Sequence, residues 1–208
     1  MARRSDRPLP DLSEERRLAE DRGDWPMGID EVGRGPWAGP VLAAAVRLDP
    51  GTVPEGLDDS KRLSANRRAG LDRAVRAAAE FALGEASVKE IDRFGIHGAT
   101  LLAMTRAARR LGGPQVALVD GRFLPPGLTG AAIPKGDSRS ASIAAASIVA
   151  KVARDTIMRD LGQQHPFYNW GQNKGYGTAE HRAALLQHGL TPHHRLSFKP
   201  MHNMLCLD

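Results

Sequence analysis

GIDEVGRGPWAGP, residues 28–40, places two adjacent carboxylates, Asp30 and Glu31, directly ahead of three glycines and two prolines. The preceding MGID reads as the end of a strand, and VLAAAVRL, Val41–Leu48, is an apolar run of strand length with Pro40 before it and Pro50 shortly after. The two are predicted to pair as a hairpin. Successive side chains of a strand point to opposite faces, so Asp30 and Glu31 cannot both serve one site on a strand running straight through them. The strand is therefore predicted to end or twist at the acids, with Gly33 and Gly35 permitting the departure.

A second acid has the same setting: Asp120 closes the apolar run QVALVDG and precedes a glycine. Two strand ends side by side in one sheet would bring these carboxylates to a common edge, and an oxygen-only set of that kind suits Mg2+ or Mn2+. Acids at strand ends also cap turns or face solvent, which stays open for Asp30 taken alone. GRGPWA fits the dinucleotide-binding fingerprint, but that motif needs a helix starting in the glycine loop. Pro36 lacks an amide and Gly39-Pro40 blocks helix extension, so the dinucleotide reading is rejected.

The rest of the chain alternates helix and strand. Leu12, Leu18 and Ala19 mark one short helix in a charged N-terminal segment, residues 1–25, ahead of a single domain over residues 26–208. Ser64 is a candidate N-cap for a helix reaching about Ala79, FALGEASV reads as a strand, and residues 99–111 form a helix stopped by Gly112-Gly113. An alanine-rich helix over residues 140–161 follows a serine-rich loop, and AEHRAALLQHG is a last short helix. The pattern is that of an α/β domain with helices packed on a mixed sheet. Basic and acidic residues balance up to residue 120, so the whole +5 excess lies after it, together with every histidine but His97. That asymmetry favours a polyanionic partner. The histidines lack zinc-ligand spacing, and His193-His194 are expected on a loop surface. No apolar run could span a membrane or form a signal-peptide core, which predicts a cytoplasmic protein, and the lone Cys206 excludes an internal disulfide.

Taken in order, GIDEVGRGPWAGPV, DDSKRL, LVDG, KGDSRSASIAAASIVAKVARD and GYGT…H resemble bacterial ribonuclease HII, the type 2 ribonuclease H, over about residues 28–200. The resemblance implies a ribonuclease H-like α/β fold with a helical C-terminal portion. It implies an endonuclease that cuts RNA in RNA/DNA hybrids and at single ribonucleotides embedded in duplex DNA, as in ribonucleotide excision repair. Two-metal-ion hydrolysis with Mg2+ or Mn2+ would leave 3′-hydroxyl and 5′-phosphate ends. Asp30, Glu31 and Asp120 become metal-site acids and Asp137 of KGD a fourth catalytic carboxylate, which the residues alone place merely in a loop. Gly33, Arg34 and Gly35 would read the ribose 2′-hydroxyl through backbone groups, Tyr176 of GYG would contact the sugar beside the junction, and Lys61 would contact a phosphate. Lys151 is a further phosphate contact or a solvated helix lysine. The pattern departs slightly at Val32, where alanine is commoner and two methyls are added beside the turn, and in DRFGI, which lacks a frequent asparagine and lies away from the acids. The protein is expected to act as a monomer and without a membrane. Two other readings stay open at this point, a nuclease of the same fold group acting on DNA junctions and a non-catalytic binder of hybrids.

Overall fold

The computed structural model describes residues 8–205; the start of the N-terminal segment and Cys206 lie outside that range. Five strands form one mixed sheet in the order β3-β2-β1-β4-β5. At its centre β1 (Met27–Val32) pairs antiparallel with β2 (Val41–Leu48), the expected hairpin, and parallel with β4 (Val116–Asp120). β3 (Ala79–Ala86) closes one edge and β5 (Thr129–Ile133) the other.

The period of two in β2 divides the core. Ala44, Val46 and Leu48 pack with α2 (Ala65–Ala78) and the alanine-rich α4 (Ala141–Gln164), whereas Val41, Ala43 and Ala45 pack with α3 (Val88–Leu111). A strand buried on both faces needs apolar residues along it, which is why VLAAAVRL is apolar at every position but the half-buried Arg47 and shows no polar alternation. Small side chains let α4 lie close. At Gly28 a side chain would collide with the α4 backbone at Ser142 and Ile143. The N-terminal helix α1 (Ser13–Arg22) docks on the start of α4, where buried Glu15 accepts hydrogen bonds from Ser140 Oγ at 2.6 Å and from the Ser142 amide at 2.8 Å.

Ser64 caps α2 as expected, accepting from the Arg67 amide, while Ser140, read from sequence as the first helical residue, is instead the cap of α4 and accepts from the Ile143 amide. The strand read at FALGEASV ends earlier, at Ala86, because Ser87 and Glu90 form a capping box that starts α3 there. The helix expected from residue 99 therefore begins at Val88, with a break at Gly95 (φ 70°). β5 escapes sequence reading: TGAAI has little strand propensity and is held by pairing to β4. The C-terminal portion is helical, with α5 (Trp170–Asn173), α6 (Ala179–His188) and α7 (Lys199–Leu205). Tyr168, Trp170, Leu185 and Met201 there surround Met158 of α4 and Ala38 of the glycine turn. Among the described residues no helix is long and apolar enough to cross a membrane.

Candidate active site

Along β1, Met27 and Ile29 face α3, so Gly28 and Asp30 face α4. Along β4, Ala117 and Val119 face α3, which puts Asp120 on the α4 side as well. The two strands are paired from Met27↔Ala117 to Ile29↔Val119, and Asp30 and Asp120 occupy the next position on each. Of the two departures expected at the acids, an end or a twist, β1 does not take the first. It continues against β2 through Val32, with Asp30 opposite Ala44 and Glu31 opposite Ala43, and parts only from the shorter β4. Around that open edge Glu31 reaches the same space. One oxygen from each of Asp30, Glu31 and Asp120 lies within 4.8 Å of the other two.

Local hydrogen bonds hold the acids in place. The Glu31 amide donates to Asp30 Oδ1 at 2.7 Å, and the Gly136 amide donates to Asp120 Oδ1 at 2.6 Å. The second bond ties β4 to the short 3-10 turn Gly136–Ser138, which carries Asp137. That carboxyl is 7% exposed. Burial, then the charges of Asp59 and Asp120, push its pKa up to about 6. Burial, then Glu31 and Asp120, raise Asp30 well above the usual carboxylate range; burial likewise raises Glu31, against the pull of Arg34, whose Nη1 lies 3.4 Å from Glu31 Oε1. Lys61 turns toward this cluster: burial lowers its pKa, but the charges of Asp59, Asp30, Asp137 and Asp120 outweigh that and raise it. Buried acids whose charged forms are disfavoured mark a site short of positive charge. All donors are hard oxygens, so the residues present fit a small divalent cation. Asp59, whose Oδ1 also accepts the Lys61 amide at 2.9 Å, was not singled out from sequence, although it lies in the DDSK stretch.

The glycine turn follows directly. No helix begins in it. Gly33 has φ 95° and lies so close to the Arg154 side chain that a Cβ could not fit. Two fully buried guanidiniums grip the turn by its carbonyls. Arg195 donates to Gly33 O at 2.6 Å, Arg34 O at 3.1 Å, Gly39 O at 2.9 and 2.8 Å, and Pro40 O at 3.2 Å. Arg154 donates to Pro40 O at 3.0 Å and Ala38 O at 3.1 Å, and also to Lys174 O at 3.0 Å. In a planar trans peptide the N–H points opposite to the C=O. Arg195, holding the carbonyls of Gly33 and Arg34, therefore turns the amides of Arg34 and Gly35 outward, and neither donates to another described residue.

The turn bearing Tyr176 sits alongside. The Trp37 amide donates to Gly175 O at 2.8 Å, and a Cβ built on Gly35 would stand 3.3 Å from Tyr176 Cε1. Tyr176 itself is 51% exposed, with its ring available at the surface. The structure thus brings Gly33, Arg34, Gly35 and Tyr176 together next to Asp30, Glu31, Asp120 and Asp137, with Lys61 facing the acids. Lys151 is paired with Asp155 at 2.6 Å.

The loop-surface expectation for His193-His194 is corrected in part: His194 is 1% exposed and hydrogen-bonded to His181 of α6, and the next residue is the buried Arg195. No local pattern marks a loop residue as buried when its partners come from elsewhere in the chain. For Arg154 the available signal was its place in the AKVARD stretch; for Arg195 and His194 there was none.

Comparison with known proteins gives the family and the fold. The sequence model of the family Ribonuclease HII matches residues 27–201. A Ribonuclease HII of Cereibacter sphaeroides is 57% identical over 199 residues, covering 94% of each chain. The ribonuclease HII in the PCNA:RNase HII complex from Archaeoglobus fulgidus superposes with a TM-score of 0.72 at 27% identity, over 86% of this chain and 95% of that one. Bst-RNase HIII, solved in complex with Mn2+, shares the fold at 19% identity, with a TM-score of 0.68 over 91% of this chain and 72% of its own. The chain belongs to the ribonuclease HII family and is a phosphodiester hydrolase of the ribonuclease H class.

Proposed function

We propose that this enzyme hydrolyses the RNA strand of RNA/DNA hybrids and also incises duplex DNA at a single embedded ribonucleotide, through two-metal-ion hydrolysis leaving 3′-hydroxyl and 5′-phosphate ends. On this reading it works as a monomer in the cytoplasm, in ribonucleotide excision repair. The observation that carries it is the meeting of an acid cluster with two glycine-flanked turns, one offering outward amides and the other an exposed tyrosine ring.

Asp30, Glu31 and Asp120 are the residues that would hold Mg2+ or Mn2+, with Asp137 completing the acid set. Bound there, such ions lower the pKa of water and neutralise charge on the attacking and leaving oxygens of an in-line displacement. The chain's own groups do the selecting. A 2′-hydroxyl both donates and accepts, and it alone distinguishes ribose from deoxyribose. The amides of Arg34 and Gly35 can approach it because they face outward and Gly35 carries no side chain to cover them. The Tyr176 ring stacks on the deoxyribose next to the ribonucleotide, a partner present only at an RNA–DNA junction. Lys61 meets a backbone phosphate near the acids, offsetting the repulsion that four carboxylates exert on it.

The test compares three duplexes in Mg2+ and in Mn2+: a uniform RNA/DNA hybrid, a DNA duplex with one ribonucleotide, and the same duplex without it. Metal-dependent cleavage of the first two alone is expected. Cleavage of the all-DNA duplex, or binding with no cleavage of any, overturns the proposal.

A further inference from the structure

We propose that His181 and His194 are positioning residues for junction recognition: two neutral imidazoles in series fix the carbonyl of Tyr176, and with it the place of the ring beside Gly35. The role rests on the assignment of Tyr176 to sugar recognition made above.

The hydrogen-bond polarity follows from one fixed end. The Thr191 amide donates to His194 Nδ1 at 3.0 Å, so that nitrogen is an acceptor and the ring proton sits on Nε2. His194 Nε2 lies 3.0 Å from His181 Nε2, which must then accept, as it also does from Trp170 Nε1–H at 3.1 Å. The proton of His181 is left on Nδ1, where it donates to Tyr176 O at 3.0 Å. Each tautomer is thus dictated by its neighbour, and the sequence runs without a break from the loop at Thr191 to the recognition turn.

Several features keep both rings neutral. They lie among the rings of Tyr168, Trp170 and Trp37. Burial lowers His181, and burial together with the nearby His181 pushes His194 down to about 3. His193 and His165 are the other titratable groups acting on His194, and neither supplies an anion. A doubly protonated imidazole at either position would present a donor where the series needs an acceptor.

The Tyr176 carbonyl has a second donor, the Thr178 amide at 2.9 Å, which caps the entry to α6. The backbone bond holds the turn's shape, while the imidazole bond ties the turn to the segment 193–195. That segment also grips the glycine turn: His193 O accepts the Gly39 amide at 2.9 Å, and the Arg195 amide donates to Trp37 O at 2.9 Å. One stretch of chain therefore sets the amide edge and the tyrosine against each other, and their relative placement is what discrimination at a junction requires.

The two nitrogens of His181 can be replaced separately. Asparagine puts an amide nitrogen where Nδ1 lies, and glutamine places its amide near Nε2. His181→Asn is expected to keep the ratio of kcat/KM on the single-ribonucleotide duplex to that on the uniform hybrid within about twofold, whereas His181→Gln lowers it about fivefold, the change carried by one ordinary hydrogen bond. Thermal melts should show both variants destabilised to a similar extent, since each loses one polar partner. Tyr176→Ala is measured in parallel. If it leaves the ratio unmoved, Tyr176 is not the sugar contact and the relay loses its role with it. If Tyr176→Ala lowers the ratio but the two His181 variants are equal on it, Tyr176 stands and the positioning role is overturned. Long-range 15N–1H correlation of the wild-type protein gives an independent reading. Nδ1–H on His181 and Nε2–H on His194 are expected, and the opposite tautomers would refute the series.

Discussion

Replacing Arg195 by lysine keeps the charge and tests whether fork geometry, rather than a buried cation, shapes the recognition turn. The guanidinium makes five hydrogen bonds to four carbonyls. A lysine ammonium ends near the position of Cζ, one C–N bond short of the points from which Nη1 and Nη2 meet Arg34 O and Gly33 O, and settling against Gly39 O draws it away from both. Pro40 O keeps its bond from Arg154 at 3.0 Å. Two carbonyls therefore lose a donor. Arg34 is exposed and water can replace one bond; Gly33 is buried and stays unsatisfied. An unmet buried carbonyl costs about 1–3 kcal/mol, so Arg195→Lys should destabilise by about 2–3 kcal/mol in all. For a chain of this length that lowers Tm by roughly 4–12 °C. Release of the Gly33 and Arg34 carbonyls also frees the adjoining amides to rotate. Re-ordering one residue costs about 1–2 kcal/mol, so cleavage at a single ribonucleotide should fall by roughly tenfold at a temperature where the variant is folded. The assays are a calorimetric melt and kcat/KM on the single-ribonucleotide duplex. A lysine variant melting within 2 °C, by this estimate, and cutting at the wild-type rate would show that the turn holds its shape without the fork.

Asp120→Asn preserves an oxygen for the Gly136 amide while removing the charge, so the fold should persist and turnover in Mg2+ should fall about a thousandfold or more; Asp30→Asn should do likewise, and near-normal cleavage by either would break the metal assignment. Asp137 has a folded pKa raised to about 6, so ionising it at neutral pH opposes folding; Asp137→Asn should stabilise the metal-free protein at pH 7 by about 1–3 kcal/mol, a gain that shrinks as pH falls through 6 toward 3.8, while activity is lost. His194 behaves in the opposite sense: its folded pKa of about 3 lies below the unfolded value of 6.5, so the stability it lends at pH 7 is lost on acidification, and the gap in stability between wild type and His194→Gln should close by about 2 kcal/mol from pH 7 to pH 5. A constant gap would mean that the imidazole titrates alike in both states. Lys61→Ala should reduce the log–log salt slope of duplex binding by about 0.9, the share of one phosphate contact, and an unchanged slope would assign Lys61 to the acids alone.

What could be read from the sequence is what local chemistry encodes. The hairpin, the cap at Ser64 and the acid at each strand end follow from periodicity and turn residues, because their determinants lie within a few positions of one another. Asp137 did not follow from pattern. A carboxylate in a serine-rich loop looks solvated until the Gly136 amide is seen anchored on Asp120. The strand end offered as one way for Asp30 and Glu31 to share a site did not occur, for a related reason. Alternation fixes which face a side chain leaves, but β4 stops one position beyond its last pair with β1, and an open edge lets a glutamate cross over.

The buried cations and anions around this site make the same point about energetics. Arg154 and Arg195 are fully buried, and burial lowers their pKa values to about 10 and about 9; a few residues away, burial raises Asp30 and Glu31. Pairing the two sets would relieve both, yet each guanidinium is bonded to carbonyls instead. The glycine turn lies between them. Its carbonyls face the arginines and its free amides face outward, so it consumes the donors that would otherwise neutralise the acids. Unneutralised acids are what a divalent cation requires, since an internal ion pair would have to be broken before it could bind. The turn therefore has two effects with one backbone: it presents amides for a ribose, and it keeps the nearest buried positive charges off the carboxylates.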